Sequence, residues 1–276
     1  MTAATVRARG LAPSEETRRF WALTWTLAVT DWKLRFYGSV LGYFWSLARP
    51  FLLFGVIYLV FSEFAKLGDD VKHYPVYILF ALVLFQFFAE TTGNGLSSLV
   101  EREHLLRKVR FPRLAIPLAI TLTSLFNLLM TLAAVLVFAI ANGVYPRWSW
   151  IQLPLLIAIL VVLSLGVAML LSALFVRYRD LAPIWEVISQ ALFYASPVLY
   201  VTTMVPESFQ HAYVAAPLAA LLAQMRHAII DPTAPPAWEA IGGADRLLIP
   251  AGIVVVAFAL GWWVFHREAP RIAENL

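Results

Sequence analysis

Six long apolar runs dominate this sequence and constrain what it can fold into. They cover residues 41–61, 74–99, 114–141, 151–176, 183–201 and 247–265. A helix of about 20 predominantly apolar residues crosses the hydrocarbon core of a bilayer. Charged residues make up only 14% of the chain, whereas they make up about a quarter of a soluble domain. The sequence therefore predicts an all-α integral membrane protein with six transmembrane helices.

A weaker apolar stretch, residues 212–230, lies between the fifth and sixth runs. It is interrupted by Pro217 and carries Gln224, Arg226 and His227. Polar groups and broken helices are tolerated at membrane depth only where protein or a water-filled cavity surrounds them. We therefore expect residues 202–246 to form an extracytoplasmic region that contains a re-entrant or interfacial pair of short helices.

The distribution of basic residues predicts the orientation of the chain. Cytoplasmic loops of membrane proteins carry an excess of Lys and Arg. With the N-terminus in the cytoplasm and six spans, 16 of the 21 Lys and Arg residues fall on the cytoplasmic side. Both termini are therefore predicted to be cytoplasmic.

Residues 14–37 precede the first span and have the pattern of an amphipathic helix. Ser14 is a suitable N-cap, and Glu15 and Glu16 in the first turn match the sign of the helix dipole. Trp21, Trp25 and Trp32 share one stripe with Ala28 and Phe36. Since indole rings prefer the membrane interface, this helix is expected to lie in that plane. An ordinary juxtamembrane anchor is the alternative.

The sequence lacks the common catalytic and nucleotide-binding motifs. It contains no G-x-x-x-x-G-K-[ST] phosphate loop, no H-E-x-x-H and no G-x-S-x-G. There is no cysteine, and the five histidines are scattered. We therefore expect no catalytic residue, no metal site and no cofactor in this chain, and we interpret it as a non-enzymatic protein.

Glu90 is an acidic residue within a predicted span, and such residues are functional candidates. The half-span around it either lines a water-filled path or a subunit interface, or is an extension of the second helix out of the lipid. Phe193, Tyr194 and Tyr200 cluster near the outer end of the fifth span. Aromatic rings there could stack on sugars or belong to an interfacial belt. With Ser196, these residues are our channel-lining candidates.

Three stretches resemble the polysaccharide-export permeases of ABC transporters. The first is "RFYGSVLGYFWSLARPFLLFGVIYLVF", residues 35–61, with Arg35, Gly38, Ser39, Leu41, Gly42, Trp45 and Pro50 in the motif positions. The second is "LLRKVRFPRLAIPLA", residues 105–119, a basic cluster followed by Phe-Pro-Arg. The third is "FVRYRDLAPIWEVISQALFYASPVLY", residues 175–200. The three occur in order and at matching positions relative to the spans.

This resemblance implies one transmembrane permease domain over residues 1–276, which assembles as a homodimer with two separate nucleotide-binding ATPase subunits. ATP and Mg²⁺ would bind to those subunits. The substrates of the family are glycans on a polyprenyl diphosphate carrier, O-antigen-like or galactan-like, or teichoic acid polymers, exported across the bacterial plasma membrane. Matching residues are expected to form a cytoplasmic gate or structural set: Arg35, Gly38, Trp45, Arg49, Pro112, Arg113, Arg177, Arg179 and Asp180.

Residues 100–111 form the most charged connection in the chain. As a coupling helix they would transmit ATPase closure to the bundle, and Phe111-Pro112 would end the helix. The coupling candidates are Glu101, Glu103, His104, Arg107, Lys108 and Arg110. The alternative is a topology signal alone, which explains the basic residues but not the acidic ones. At the next cytoplasmic turn, Arg179 and Asp180 are expected to hold the base of the bundle through a charged hydrogen bond.

Two other functions stay open at this point. One is a permease for efflux of a small molecule or lipid, and the other is a membrane-embedded enzyme acting on polyprenyl-linked glycans. The missing cluster of acidic and basic catalytic residues argues against the enzyme.

Overall fold

The structure of the chain is a computed structural model that describes residues 13–36, 42–64, 66, 68, 70–103 and 112–275. Within these residues the regular secondary structure is helical, without strands. The longer helices are α1 (Pro13–Phe36), α2 (Gly42–Tyr58), α3 (Tyr74–Glu101), α4 (Ala115–Ala141), α5 (Gln152–Phe175), α6 (Leu181–Ala195) and α10 (Leu248–Asn275). The short ones are α7 (Glu207–Val214), α8 (Pro217–Met225) and α9 (Ala237–Ala240). A π-helical turn at Leu59–Phe64 extends α2, and another at Arg226–Ile230 extends α8.

Five helical segments of the described residues are long and apolar enough to cross a membrane. They are Phe44–Ser62, Tyr74–Glu101, Ala115–Ala141, Trp148–Phe175 and Ala244–Glu268. A sixth candidate is the pair Ser208–Val214 and Pro217–Ile230, which bends by 98° at its break. The all-α membrane fold is therefore confirmed, and the bent pair lies where short re-entrant helices were predicted.

The fifth predicted span differs from the expectation because its helix is short. α6 has 15 residues, so it measures about 22 Å at 1.5 Å per residue and does not match the ~30 Å hydrocarbon core. It ends because Ser196 adopts an extended conformation and Pro197 follows it. The chain then runs without helix to Val201.

The core of the bundle forms around α3. Residues Val76, Ile78, Leu79, Phe80 and Ala81 of this helix are completely buried. α3 packs against α4 and α5, and α5 packs in turn against α10. Small residues allow the last contact to be close, because a Cβ on Gly166 would lie 2.6 Å from the Cα of Phe258. Glycine in such a contact is the usual means of close helix approach in membranes.

Helix α1, predicted as an interface helix, packs against the bundle. Its first turn carries Glu15 and Glu16 and its last turn Lys33 and Arg35, which match the helix dipole at both ends. The buried Ala28 offers its carbonyl to the Thr123 hydroxyl of α4 at 3.1 Å. Trp25 and Trp32 make edge contacts with the ring of Phe126. The helix therefore docks on α4.

The two ends of the bundle differ in their polar residues. We call the end where α3 and α5 finish the basic end, because it carries Arg102, Arg113 and Arg177. We call the opposite end, where α3 and α5 begin, the tyrosine end, after Tyr74, Tyr77, Tyr200 and Tyr213.

Candidate functional site

An open groove runs along α3 and α6, and we call it the aromatic groove. It has a volume of ≈ 640 Å³ and is lined by Leu53, Phe85, Ala89, Gly93, Leu96, Ser97, Phe175, Ala182, Trp185, Glu186, Ser189, Gln190, Phe193 and Tyr194. α6 has no buried residue. An amphipathic membrane helix normally turns its polar face toward protein or water. Within the described part of this chain, α3 covers the polar and aromatic face of α6 only in part, and Glu186, Gln190 and Tyr194 stay exposed.

Aromatic contacts position the walls of this groove. The Phe193 ring lies 5.2 Å from that of Phe85 and 5.3 Å from that of Tyr194, both in edge-to-face geometry. Trp185 donates its indole N–H to the Thr92 hydroxyl of α3 at 3.2 Å. Such pairs stabilise beyond simple burial of area, so the rings form a fixed surface. Two predicted channel residues, Phe193 and Tyr194, lie in this groove.

Glu90 lies in a second, more polar cavity between α1, α2, α3 and α4. This polar cavity has a volume of ≈ 600 Å³, and its polar lining consists of Arg35, Ser46, Arg49, Gln86, Glu90, Asn94, Ser124, Asn127 and Thr131. The Glu90 carboxylate forms an ion pair with Arg35. It also accepts a hydrogen bond from Asn127 Nδ2 at 3.0 Å. A carboxylate inside a membrane protein is costly unless it is paired, and here both partners come from other helices.

The polar cavity retains hydrogen-bonding capacity. Within the described residues, the Asn127 carbonyl oxygen and the Ser124 hydroxyl are buried without a partner, and both residues line the cavity. Buried polar groups in native proteins are nearly always satisfied by protein or water. These two groups are therefore available to water or to a polar ligand. Sequence reasoning did not select Asn127, although a polar residue within an apolar span was the signal that would have identified it.

A second ion pair joins α1 to the end of α3. Arg102 pairs with Asp31, and the two side chains are 16% and 30% exposed. With the Arg35–Glu90 pair, it ties α1 to α3 at two points about a helix turn apart along α1. Asp31 and Arg102 were not among the predicted site residues. The Arg102 pair holds the first residues of the charged connection against the bundle.

Most of that charged connection lies outside the described residues, and with it His104, Arg107, Lys108 and Arg110. Glu101 is exposed and Glu103 is half-buried. The described chain resumes at Pro112, whose carbonyl accepts the N–H of Ala115 at 3.0 Å. The coupling role of this connection stays a prediction.

The first-span motif residues have different surroundings. Arg35 and Arg49 line the polar cavity, whereas Trp45 is exposed on α2. Gly38 lies outside the described residues. Leu52, Leu53 and Val56 of α2 are also exposed, so much of the first span has no cover within the described chain.

The turn between α5 and α6 corrects one expectation. Among the described residues, the ion pairs are Arg35–Glu90 and Arg102–Asp31, so the charged bond predicted for Arg179 and Asp180 at the base of the bundle is not formed there. Neighbouring residues at a helix start do not face each other. The Arg179 guanidinium lies over the Phe175 ring, 5.1 Å from its centroid, and Arg177 lies over Tyr178 at 5.5 Å. Both arginines and Asp180 are exposed.

At the tyrosine end, hydroxyl groups hold the non-helical chain after α6. Tyr74 donates to the Leu199 carbonyl at 2.5 Å, and Tyr77 donates to the Pro197 carbonyl. Tyr213 donates to the Tyr200 hydroxyl at 2.9 Å, and Tyr200 donates to the Tyr194 carbonyl at 3.1 Å. Ser196 and Tyr200, the remaining channel candidates, belong to this region. Of the five predicted channel residues, Glu90 therefore lies in the polar cavity and Phe193 and Tyr194 line the aromatic groove, while Ser196 and Tyr200 follow the end of α6, where Tyr200 contacts Tyr194.

Side chains of the loop between α4 and α5 donate hydrogen bonds to the last carbonyls of the bent pair. The last carbonyls of a helix have no partner within it. Trp150 Nε1 donates to the Ile229 carbonyl at 3.1 Å, and Arg147 donates to the Ile230 carbonyl at 3.3 Å. The bent pair is thereby fixed in place by side chains from another part of the chain.

Asp231 follows the bent pair and accepts two hydrogen bonds from Thr233, at 3.0 Å from its N–H and 2.6 Å from its hydroxyl. Burial raises the pKa of Asp231. The two hydrogen bonds and the nearby cations Lys72 and Arg226 lower the pKa by more than burial raises it, so the net pKa lies below its ordinary value. Among the described residues, no three His, Asp or Glu side chains converge to hold a metal ion.

Comparison with known proteins gives matches that cover most of the chain. The ABC-2 type transporter family matches residues 22–230, from α1 to the end of the bent pair. An O-antigen export system permease protein RfbA of Klebsiella pneumoniae is 30% identical over 247 residues, 89% of this chain and 92% of that protein. A permease of the same name from Myxococcus xanthus is 27% identical over 263 residues, 95% of this chain and 98% of its own length. The chain belongs to the membrane family of ABC-2 type transporters.

Proposed function

We propose that this chain is the channel-forming permease subunit of an ATP-driven exporter of lipid-linked polysaccharide. The observation that carries the proposal is the aromatic groove, because α6 has no fully buried residue and presents rings and polar side chains along an open groove beside α3. Aromatic faces suit sugar rings, and Glu186, Ser189 and Gln190 supply hydrogen-bonding groups beside them. The names of the O-antigen export relatives agree with such a substrate.

A second copy of the chain closes the groove in this proposal. The exposed apolar residues of α2 and α6 support it, because Leu52, Val56 and Val187 have more than half of their surface uncovered. A two-fold symmetric dimer places the same patch of both copies together. The two grooves would then face each other and enclose one channel.

The energy source is a separate ATPase in two copies, which binds ATP and Mg²⁺. The absence of a phosphate loop in the sequence supports this division of roles. The charged connection at residues 100–111 is the proposed docking element. Arg102 links it to Asp31 of α1, and Arg35 links α1 to Glu90. Movement of the connection would therefore reach the polar cavity through α1.

The substrate class and location complete the proposal. The transported molecule is a glycan on a polyprenyl diphosphate, such as an O-antigen, galactan or teichoic-acid-like polymer. The exporter resides in the bacterial plasma membrane with both termini in the cytoplasm. The excess of Lys and Arg at the basic end supports this orientation.

The dimer can be tested directly because the chain has no cysteine. Val187→Cys places a single thiol on the exposed face of α6, and Val255→Cys places one on α10 with similar exposure. With a short bifunctional maleimide in membranes, we expect a crosslinked dimer from Val187→Cys and not from Val255→Cys. Crosslinking of Val255→Cys alone would place the partner on the wrong face and contradict the closed groove.

The coupling role is tested by removing charges together, since single exposed pairs contribute only about 0–1 kcal/mol. The variant combines Glu101→Ala, Glu103→Ala and Arg107→Ala and keeps Arg110 and Arg113, so that the topology signal survives. Insertion and dimerisation should persist while ATP use no longer drives export. Normal export by this variant with its ATPase bound would show that the charged connection acts only as a topology signal.

A further inference from the structure

A third cavity lies near the tyrosine end, away from the aromatic groove and the polar cavity. We call it the apolar cavity. It has a volume of ≈ 330 Å³ and lies between α5, α8, α9 and α10. Its inner wall includes Ala220 and Leu221 of α8 and Val254 of α10, each at most 9% exposed. It shares no lining residue with the other two cavities.

The polar groups in its wall bind one another. Gln224 donates from its amide nitrogen to the Gln152 carbonyl oxygen at 2.8 Å. The Gln224 carbonyl oxygen accepts the backbone N–H of Ala237 at 3.1 Å. The remaining lining is almost wholly Leu, Ile, Val, Ala and Pro. A buried water needs about two to four polar partners. Most of this lining is apolar, and both amide carbonyl oxygens are already bonded, so water is a poor occupant.

The mouth of the apolar cavity opens on the lipid-facing side of α5 and α10. Leu155 is 61% exposed and Trp238 39% exposed at the rim. Next to the rim, Leu248 and Val255 of α10 are also largely exposed. Leu155, Leu248 and Val255 belong to the candidate spans Trp148–Phe175 and Ala244–Glu268, so we infer that hydrocarbon is the medium against them. The cavity is therefore continuous with the lipid interface.

An empty space of this size is unfavourable, because the atoms that line it lose their dispersion contacts. An apolar cavity of about 150 Å³ is already large enough to bind benzene, and this one is more than twice as large. Lipid acyl chains surround the mouth at very high local concentration, and mass action favours the most abundant ligand that fits.

We propose that the acyl chain of a phospholipid in the leaflet at the tyrosine end occupies the apolar cavity. The chain enters between Leu155 and Ala251 and contacts α8, which forms the second half of the bent pair. The bound acyl chain fills the space between the bent pair and α10 and so supports a helix whose packing would otherwise be incomplete. The site requires no transport activity and stands apart from the proposed substrate path.

The test uses the purified full-length chain in nanodiscs that contain a phosphatidylcholine with a diazirine at the end of one acyl chain. After photolysis, adducts are mapped by mass spectrometry of peptides. Ala220 and Leu221 are buried within the protein, so bulk lipid cannot label them. We expect adducts on the α8 peptide 217–225 in the native chain.

Ala251→Phe fills the mouth and should remove most of the adducts on α8. Ala251 is exposed, so the larger ring is compatible with folding, and Ala251→Leu is a milder second variant that should lower them partly. Ala259→Phe, also exposed on α10 but outside the cavity lining, is the matched control and should leave them unchanged. Thermal melting of all three variants checks their fold.

Two results would overturn the proposal. One is an α8 peptide that acquires no adduct, or acquires as many in Ala251→Phe as in the native chain. The other is a competition result in which added polyprenyl phosphate removes the adducts and the same amount of added unlabelled phosphatidylcholine does not. That result would make the isoprenoid carrier the occupant.

Discussion

The two ends of the bundle hold their chain segments in place with different chemistry. At the basic end, charged side chains pair between helices, as Arg35 does with Glu90 and Arg102 with Asp31. At the tyrosine end, neutral hydroxyls donate to backbone carbonyls of residues 197–200. The first arrangement joins separate helices, and the second holds a stretch of chain that has no helix of its own.

This difference suggests different roles for the two ends. A partly exposed ion pair such as Arg102–Asp31 contributes little net stability and responds to salt, so it suits elements that shift with respect to one another. A carbonyl without a partner at membrane depth is costly, so the tyrosine bonds suit a closure that must stay in place. We interpret the basic end as the part that moves when the ATPase acts, and the tyrosine end as the part that keeps its conformation.

Glu90→Ala should have the largest effect. It removes the partner of Arg35 and the acceptor for Asn127 in one step, and hydrogen bonds to charged groups are worth about 1.5–3 kcal/mol. We expect a loss of about 2–3 kcal/mol in unfolding free energy and a strong loss of export, measured by denaturation in detergent and by surface glycan. Glu90→Gln keeps an acceptor for both partners, so its stability and export should lie between those of the native chain and Glu90→Ala. Unchanged stability in Glu90→Ala would show that α1 is not held at this point.

Tyr77→Phe comes second. It leaves the Pro197 carbonyl without its donor, and an unsatisfied buried group costs about 1–3 kcal/mol. We expect a lower melting temperature that does not depend on salt, since no ion pair is involved. Tyr58→Phe is the control, because Tyr58 stacks on Phe54 through its ring. Equal effects of the two variants would remove the special role of the tyrosine end.

Asp31→Asn should have a small effect on stability and a clear effect on coupling. Its pair with Arg102 is partly exposed, so we expect less than about 1 kcal/mol of destabilisation. The ratio of glycan exported to ATP hydrolysed should nevertheless fall, because the charged connection loses its link to α1. Exchanging the charges, Asp31→Arg with Arg102→Asp, should restore the ratio. If the single variant keeps the native ratio, coupling does not pass through α1.

Asp231 should show the smallest effect, and only at low pH. Its pKa in the folded chain lies below the ordinary value of 3.8, so its stabilising contribution is fully present above 3.8 and is lost as the pH falls below it. Asp231→Asn should therefore lower the melting temperature at pH 7 and bring it closer to the native value at acidic pH. A difference that grows on acidification would mean that the folded pKa is raised instead.

Much of the fold follows from the sequence, because spans are read from hydropathy alone. The bent pair was also foreseen, since Pro217 and Arg226 are incompatible with a simple span. The length of α6 was not predicted, because residues 196–201 were counted within the apolar run although Pro197 disfavours a helical Ser196 before it. In a lipid medium, apolar character does not distinguish a face that meets protein from one that meets lipid.

The candidate site was only partly predictable for a related reason. Glu90 was recognised as unusual, but its partners Arg35 and Asn127 lie 55 and 37 residues away in sequence. Phe193 and Tyr194 were selected as a cluster with Ser196 and Tyr200. Only the first two line the aromatic groove, because α6 ends at Ala195, although the Tyr200 hydroxyl still contacts the Tyr194 carbonyl.

The most direct test of the account is export by the reconstituted transporter. Proteoliposomes would contain this chain with its ATPase facing outward, together with a polyprenyl diphosphate-linked glycan in the outer leaflet. Protection of the glycan from an external glycosidase is then measured with and without ATP and Mg²⁺. The account predicts protection that requires ATP and is lost in Glu90→Ala. ATP-driven movement of a small lipid or drug, with the glycan fully digested in every sample, would contradict it.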